Sequence, residues 1–212
     1  MSTHNAGTGV LLDLDGTLVD SLYLHVVAWH EALHEAGHQV PMVRIHHGIG
    51  MGSDRLLPYL IGHTEDAEQI AERHTDNFLD GADSLEATIG ATALIEDLEA
   101  REIPFVVATS AGGPEREALL EALGRTDLPI VGSDDVASSK PAPDMLLAAR
   151  DELGSNPKHV VMVGDAPWDA RAALRAGMEA VAVRCGGFCD ETLAAAGADR
   201  IVDNPQDLVG TL

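Results

Sequence analysis

Two hydrophobic rhythms divide the chain. An apolar run, Val10-Leu11-Leu12, stops abruptly at Asp13 and Asp15, as a buried strand does when it reaches a polar rim. From Ser21 to Ala36 the apolar residues Leu22, Val26, Trp29 and Leu33 fall on one helical face, and Gly37 ends the pattern. Helical patterns follow from Ser53 to Ile61 and from Glu65 to about Leu79, with Ser53-Asp54 and Thr64-Glu65 as plausible starts and no convincing strand between them. The second half changes period. Strand-like runs at 103–109, 128–132, 159–165, 180–184 and 200–202 alternate with helical patterns at 88–100, 114–123, 143–153, 167–176 and 191–196. Pro114, Pro143 and Pro167 sit where a first helical turn begins. This alternation predicts an α/β fold, a doubly wound parallel sheet covered by helices on both faces. A small all-helical insert follows its first strand. The expected boundaries are 1–19 and 85–212 for the core and 20–84 for the insert.

Ligands of such sheets bind beyond the carboxyl ends of the strands, and polar residues collect there. Asp13 and Asp15 follow the first strand, Thr109 and Ser110 close Phe105–Ala108, Lys140 lies after the third strand, and Asp165 closes Val160–Gly164. Alternate residues of a strand share a face, so Asp13 and Asp15 are expected to converge. Two carboxylates packed together repel unless a cation sits between them, and a hard oxygen-liganded ion such as Mg²⁺ suits that arrangement. A calcium loop of the EF-hand kind is excluded: Gly16 follows Asp15 at once, and the position that needs a glutamate is Leu24.

Phosphoryl transfer asks for an in-line nucleophile, neutralised phosphate oxygens and an acid for the leaving group. Asp13 can attack and form an aspartyl phosphate, while Asp15 protonates the leaving oxygen and later activates water. Mg²⁺ would be held by Asp13, the backbone carbonyl of Asp15, and Asp165. Thr109 can donate to a phosphate oxygen and Lys140 adds a positive charge. Asp169, one helical turn after Asp165, can orient Lys140 or a metal-bound water.

Composition narrows the partners. The 212 residues carry 13 basic against 35 acidic side chains, a net charge of −22, which opposes binding to nucleic acid or an anionic membrane. Lysine occurs only at 140 and 158. No apolar run approaches a membrane span, and Cys185 and Cys189 are too few for a disulfide framework, so a cytoplasmic protein with two ordinary thiols is expected. His30, His34 and His38 recur at helical spacing beside an apolar face and read as solvated side chains.

In this order, Asp13-Leu14-Asp15-Gly16-Thr17, Thr109-Ser110, Lys140-Pro141-Ala142-Pro143-Asp144 and Gly164-Asp165-Ala166-Pro167-Trp168-Asp169 resemble the four motifs of the haloacid dehalogenase superfamily. The resemblance covers nearly the whole chain. It implies a Rossmann-like core, a Mg²⁺-dependent phosphoric monoester hydrolase and the residue roles given above. It also makes 20–84 a helical cap of the first type and leaves no room for a second cap within 110–139. A lid that excludes water suits small phosphorylated metabolites better than proteins. Asp15 is absent from true dehalogenases, and no lysine lies between Asp20 and Leu85 to form the Schiff base of phosphonate-cleaving relatives.

The chain is most similar to the phosphoglycolate-phosphatase and β-phosphoglucomutase-like members. The mutases carry an arginine after a glycine-containing cap loop, where this chain has Met51, so water is the expected acceptor. Arg44 or Arg55 is the alternative cation for a phosphotransferase. With Gly48 they are expected to contact substrate alongside Thr109, Ser110 and Lys140. A response-regulator-like signalling module, the rival from another class, has its acids, Thr and Lys in a different chain order. Phosphoglycolate, a sugar phosphate, glycerol phosphate, a nucleotide and pyrophosphate all fit as substrates, and the oligomeric state stays open between monomer and dimer.

Overall fold

The computed structural model of the chain describes residues 7–62, 65–154 and 157–212; the expected helix start at Thr64 lies outside them. After strand β1 (Thr8–Leu12) the chain leaves the sheet for helices α1 (Leu22–Glu35), α2 (Met42–His46), α3 (Ser53–Ile61) and α4 (Ala67–Asp80). It returns through α5 (Ala91–Ala100), β2 (Phe105–Ala108), α6 (Gly113–Leu123), β3 (Ile130–Val131), α7 (Asp144–Glu152) and β4 (His159–Gly164). Helix α8 (Pro167–Ala176), β5 (Glu179–Val183), α9 (Asp190–Ala196) and β6 (Arg200–Val202) complete it. None of the helices among the described residues is long and apolar enough to cross a membrane.

The six strands form one sheet in the order β3-β2-β1-β4-β5-β6, with every pair parallel. The strand order reverses between β1 and β4, and a crevice opens at that switch point beyond the strand ends. Both faces of the sheet are covered, which is why its strands read as continuous apolar runs. Val10 and Leu12 of β1 pack on one side with Leu94, Leu98, Leu119 and Leu123 of α5 and α6. Leu11 packs on the other with Met145, Leu146, Ala170 and Ala173 of α7 and α8.

The insert has an apolar core of its own, built from Leu22, Val26, Trp29, Leu33, Ile45, Leu56, Leu57, Leu60 and Ile70. Helix α2 lies where the sequence reads as loop, because five residues are too few to show a period. The two connections to the core run side by side. Asp20 N donates to Glu86 O at 2.9 Å, Thr88 N donates to Leu18 O at 3.0 Å, and Val19 bridges to Ala87. Phe78 of α4 leaves the insert's own core and packs with Leu14, Leu18 and Ala28 in the cluster that lines the sheet.

Phe78 is fully buried, so Phe78→Ala removes a large side chain at the seam between insert and core. We expect a loss of about 3–5 kcal/mol in urea denaturation, the range for aromatic truncation in a packed interior. A loss below about 1 kcal/mol would mean that the seam is not a packed interior.

Candidate active site

The first loop is built around glycine. Leu18 N and Val19 N both donate to Leu14 O, at 2.9 and 3.0 Å, and Gly16 turns the chain at φ +73°. A Cβ on Gly16 would stand 2.3 Å from Asp165 Oδ2, as would one on Gly186, so Asp165 enters between two residues without side chains. Thr17 Oγ1 donates to Asp165 Oδ1 at 3.0 Å; the threonine braces the acid that follows the fourth strand. Strand β1 stops at Leu12, so it is this loop, and not strand parity, that turns Asp13 and Asp15 toward one space.

Asp13 N continues the ladder to Val163 O at 2.9 Å, which fixes the carboxyl at the crevice. Lys140 is fully buried beside it, with Nζ 2.5 Å from Asp13 Oδ1, 2.9 Å from Ala108 O and 2.9 Å from Asp169 Oδ1. Asp169 Oδ2 accepts from Ala166 N at 3.0 Å, which closes the first turn of α8. Burial opposes the charge on Lys140, yet the Asp13 and Asp169 carboxylates hold its pKa above the ordinary lysine value. Burial is also the main force on Asp13 and pushes it up to about 8, with Asp169 and Asp15 adding and Lys140 opposing. Asp165 is raised as well, by burial first and then by Asp13 and Asp169. One ammonium does not balance these acids. Carboxylate oxygens of Asp13, Asp165 and Asp169 lie within 4.8 Å of one another, a donor set without cysteine or histidine that fits a hard divalent cation.

Asp15 has different surroundings. Its Oδ1 accepts from Ser21 Oγ at 2.8 Å and meets His25 Nε2 at 2.8 Å, while Thr109 Oγ1 donates to Oδ2 at 3.4 Å. The contacts continue in file: His25 Nδ1 lies 3.0 Å from His74 Nε2, and His74 Nδ1 lies 3.2 Å from Glu115 Oε1, which also accepts from Thr75 Oγ1. Three hydrogen bonds in line require three protons. With both end carboxylates ionised, one of the two rings carries the third proton, and the bonding pattern is the same for either ring. The electrostatics favour His25. Burial opposes charge on Asp15 and His25, yet each lowers the other's cost: Asp15 falls below the usual carboxylate value and His25 rises above the usual imidazole value. Burial lowers His74. Burial works against Glu115 too, but its bond from His74 holds it below the usual range.

A cavity of about 370 Å³ opens above Asp13 and Asp15, walled by Trp29, Ile49, Met51, His74 and Thr75 of the insert and by Ser110, Glu115 and Asp134 of the core. The insert is docked over it: Gly52 N donates to Ser139 Oγ at 3.1 Å, Ser139 donates to Asp54, and Ser110 Oγ donates to Gly50 O at 3.4 Å. Thr109 is buried beside Asp15 and accepts from Ala111 N at 3.0 Å.

Of the six expected substrate contacts only Ser110 lines the cavity; Thr109 and Lys140 are fully buried, and the other three lie elsewhere. Arg44 donates to Tyr59 O at 2.9 Å, because the turn of α2 carries it outward. Arg55 donates to Ser138 Oγ at 3.0 Å and pairs with Asp54 at 3.4 Å on the outer side of α3. Gly48 packs under α3, where a Cβ would meet Leu56 Cδ1 at 2.4 Å; residues 49–52 form the wall instead. Conversely, His25, His74 and Glu115 escaped sequence reasoning. A signal existed for the histidines: His25 sits within the apolar stripe of α1, and His74 lies between Ile70 and Phe78 at helical spacing. Glu115 offers none beyond its place in the first turn of α6.

Residues 8–177 match the haloacid dehalogenase-like hydrolase family. The chain is 34% identical over 210 residues to the phosphoglycolate phosphatase of Rhodospirillum rubrum, covering 92% of this chain and 86% of that one. It is 30% identical over 214 residues to the N-acetylmuramic acid 6-phosphate phosphatase of Pseudomonas aeruginosa, covering 96% and 93%. Among solved structures, a hydrolase from Pseudomonas syringae superposes with a TM-score of 0.92 at 37% identity over 95% of both chains. CbbY from Rhodobacter sphaeroides in complex with phosphate gives 0.80 at 27% identity over 94% of this chain and 95% of that one. The signalling-module alternative therefore falls: the chain belongs to the haloacid dehalogenase-like hydrolase family and hydrolyses phosphoric monoesters.

Proposed function

We propose that the enzyme is a Mg²⁺-dependent phosphatase of small phosphorylated metabolites, working through an aspartyl phosphate on Asp13. The observation that carries this reading is the pairing of Asp13, held by Lys140, with Asp15, held by His25, on the floor of one cavity. Lys140 occupies Asp13 Oδ1 and leaves the other oxygen to attack phosphorus. As the bond from phosphorus to the leaving oxygen breaks, Asp15 gives that oxygen a proton. Asp15 then takes a proton from water, the water attacks the phosphoryl group, and Asp13 is released. Thr109 and Ser110 donate to phosphate oxygens, and Asp169 keeps Lys140 in place.

Asp13, Asp165 and the carbonyl of Asp15 are the groups that would hold Mg²⁺, which supplies neutralisation of the phosphate's charge when bound. The helical insert, 20–84, acts as the lid on the α/β core, tied down through Gly52, Asp54 and Ser139. Water is the acceptor, because Met51 of the cap loop offers no charge to grip the second phosphate of a bisphosphate intermediate.

Asp13→Asn should lower phosphate release by roughly 10³-fold or more, since an amide is no nucleophile toward phosphorus. Near-normal turnover in that variant would reject the mechanism. Asp15→Asn should behave unequally across substrates: p-nitrophenyl phosphate, whose leaving group needs no proton, should lose far less than an alkyl phosphate. Equal losses would remove the acid role from Asp15.

The raised Asp13 pKa fixes a pH dependence. Without metal, a carboxyl raised from the ordinary value to about 8 stabilises the fold most below pH 4, and that contribution fades as pH climbs through 8. Binding of Mg²⁺ must displace the proton, so its apparent affinity should rise roughly tenfold per pH unit between pH 6 and 8. Calorimetry in buffers of different ionisation enthalpy should show at least one proton released; a flat affinity over that range would exclude a protonated Asp13.

A further inference from the structure

Resting on the phosphatase reading above, we infer that the leaving group of the substrate is neutral and hydroxylated, a sugar or polyol, and that the cavity disfavours leaving groups carrying a carboxylate or a second phosphate. The charges around the cavity carry this inference. The acids on its surface are Asp13, Asp15, Glu115 and Asp134, and no lysine or arginine side chain lines it among the described residues.

The lysine and arginine side chains near it are absent from its wall, and all but Arg116 are engaged by other groups. Lys140 is held by Asp13, Asp169 and Ala108 O. Arg44 and Arg55 turn to Tyr59 O and Ser138 Oγ outside the wall. Arg116, next to Glu115, lays its guanidinium against Gly132, where a Cβ would stand 2.5 Å from Nη1, and it is not part of the lining. The imidazolium of His25 is engaged by Asp15, and His74 donates to Glu115.

A second anionic group on the substrate would therefore give up its water with no cation to replace it and would face Glu115 and Asp134 at like charge. Hydroxyl groups meet the opposite situation. His74 and Thr75 both donate to Glu115 Oε1, so Oε2 keeps its accepting capacity, and Asp134 accepts as well. Trp29, Ile49 and Met51 supply apolar surface for C–H faces, in a volume of about 370 Å³ that suits a single sugar phosphate. On this reading the chain differs in substrate from the Rhodospirillum relative named for phosphoglycolate.

The test compares kcat/KM of the intact enzyme with Mg²⁺ on two pairs matched except for charge: 2-hydroxyethyl phosphate against 2-phosphoglycolate, and sorbitol 6-phosphate against 6-phosphogluconate. A preference of at least fivefold for the neutral member of both pairs is expected. A smaller preference in either pair, or a reversed one, overturns the inference while leaving the phosphatase reading intact. So does turnover of p-nitrophenyl phosphate with none of the four. Release of phosphate from nothing overturns that reading and the inference with it. Met51→Arg places a cation in the wall and should reduce the neutral-to-anionic ratio at least fivefold. Because the ratio is taken within one protein, partial unfolding cancels; an unchanged ratio overturns the claim that the missing cation sets selectivity.

Discussion

Like charge crowded into a dry space is the constraint on which the rest of this structure depends. Asp13, Asp15, Asp165 and Asp169 crowd one end of the sheet, where the ammonium of Lys140 touches only Asp13 and Asp169, and ionised carboxyls are costly to bury without partners. The surrounding features reduce that cost. Gly16 and Gly186 let Asp165 approach its threonine donor, Ala108 O anchors the lysine, and the first turn of α8 lends a backbone N–H to Asp169. The second cation of the site, His25, comes from the insert. Core and insert are thus electrostatically interdependent: each holds charge that the other neutralises.

The two acids of the first motif, two residues apart, are driven in opposite directions by what surrounds them. Burial pushes Asp13 up to about 8 against the pull of Lys140, whereas the His25 imidazole against Asp15 holds that carboxyl below the usual carboxylate value. A nucleophile must be deprotonated and an acid protonated, so neither is armed by its static surroundings alone. In the mechanism proposed above, a divalent charge in the donor set would favour the ionised form of Asp13. In that same mechanism the proton Asp15 gives to the leaving group would come from His25, across a 2.8 Å hydrogen bond from the insert.

The sheet and its order of strand ends were legible because strands buried on both faces leave unbroken apolar runs, and polar residues interrupt those runs where the rim begins. Helix α8 and strand β6 start and stop where the pattern puts them. Short elements were not legible: α2 is one turn and a half, and β3 shrinks to Ile130–Val131. Residue type along the chain announces chemistry but not direction. Arg44 and Arg55 have the charge a substrate contact wants, yet the helices that carry them face outward. His25 and His74 lie in apolar stripes, where periodicity alone cannot separate a core ring from a working one. Their meaning depends on Glu115, which joins them only after the insert folds onto the core.

The paired connections at Val19 and Ala87 have a consequence for how such enzymes diversify. Because the chain leaves and re-enters the core at adjacent points, the sheet's register is indifferent to what lies between them. Helices there can lengthen, shorten or exchange side chains while β1 and β2 remain neighbours. A lineage can therefore keep the rim and redraw recognition in the segment between, provided it preserves the seam at Phe78 and the contact of His25 with Asp15.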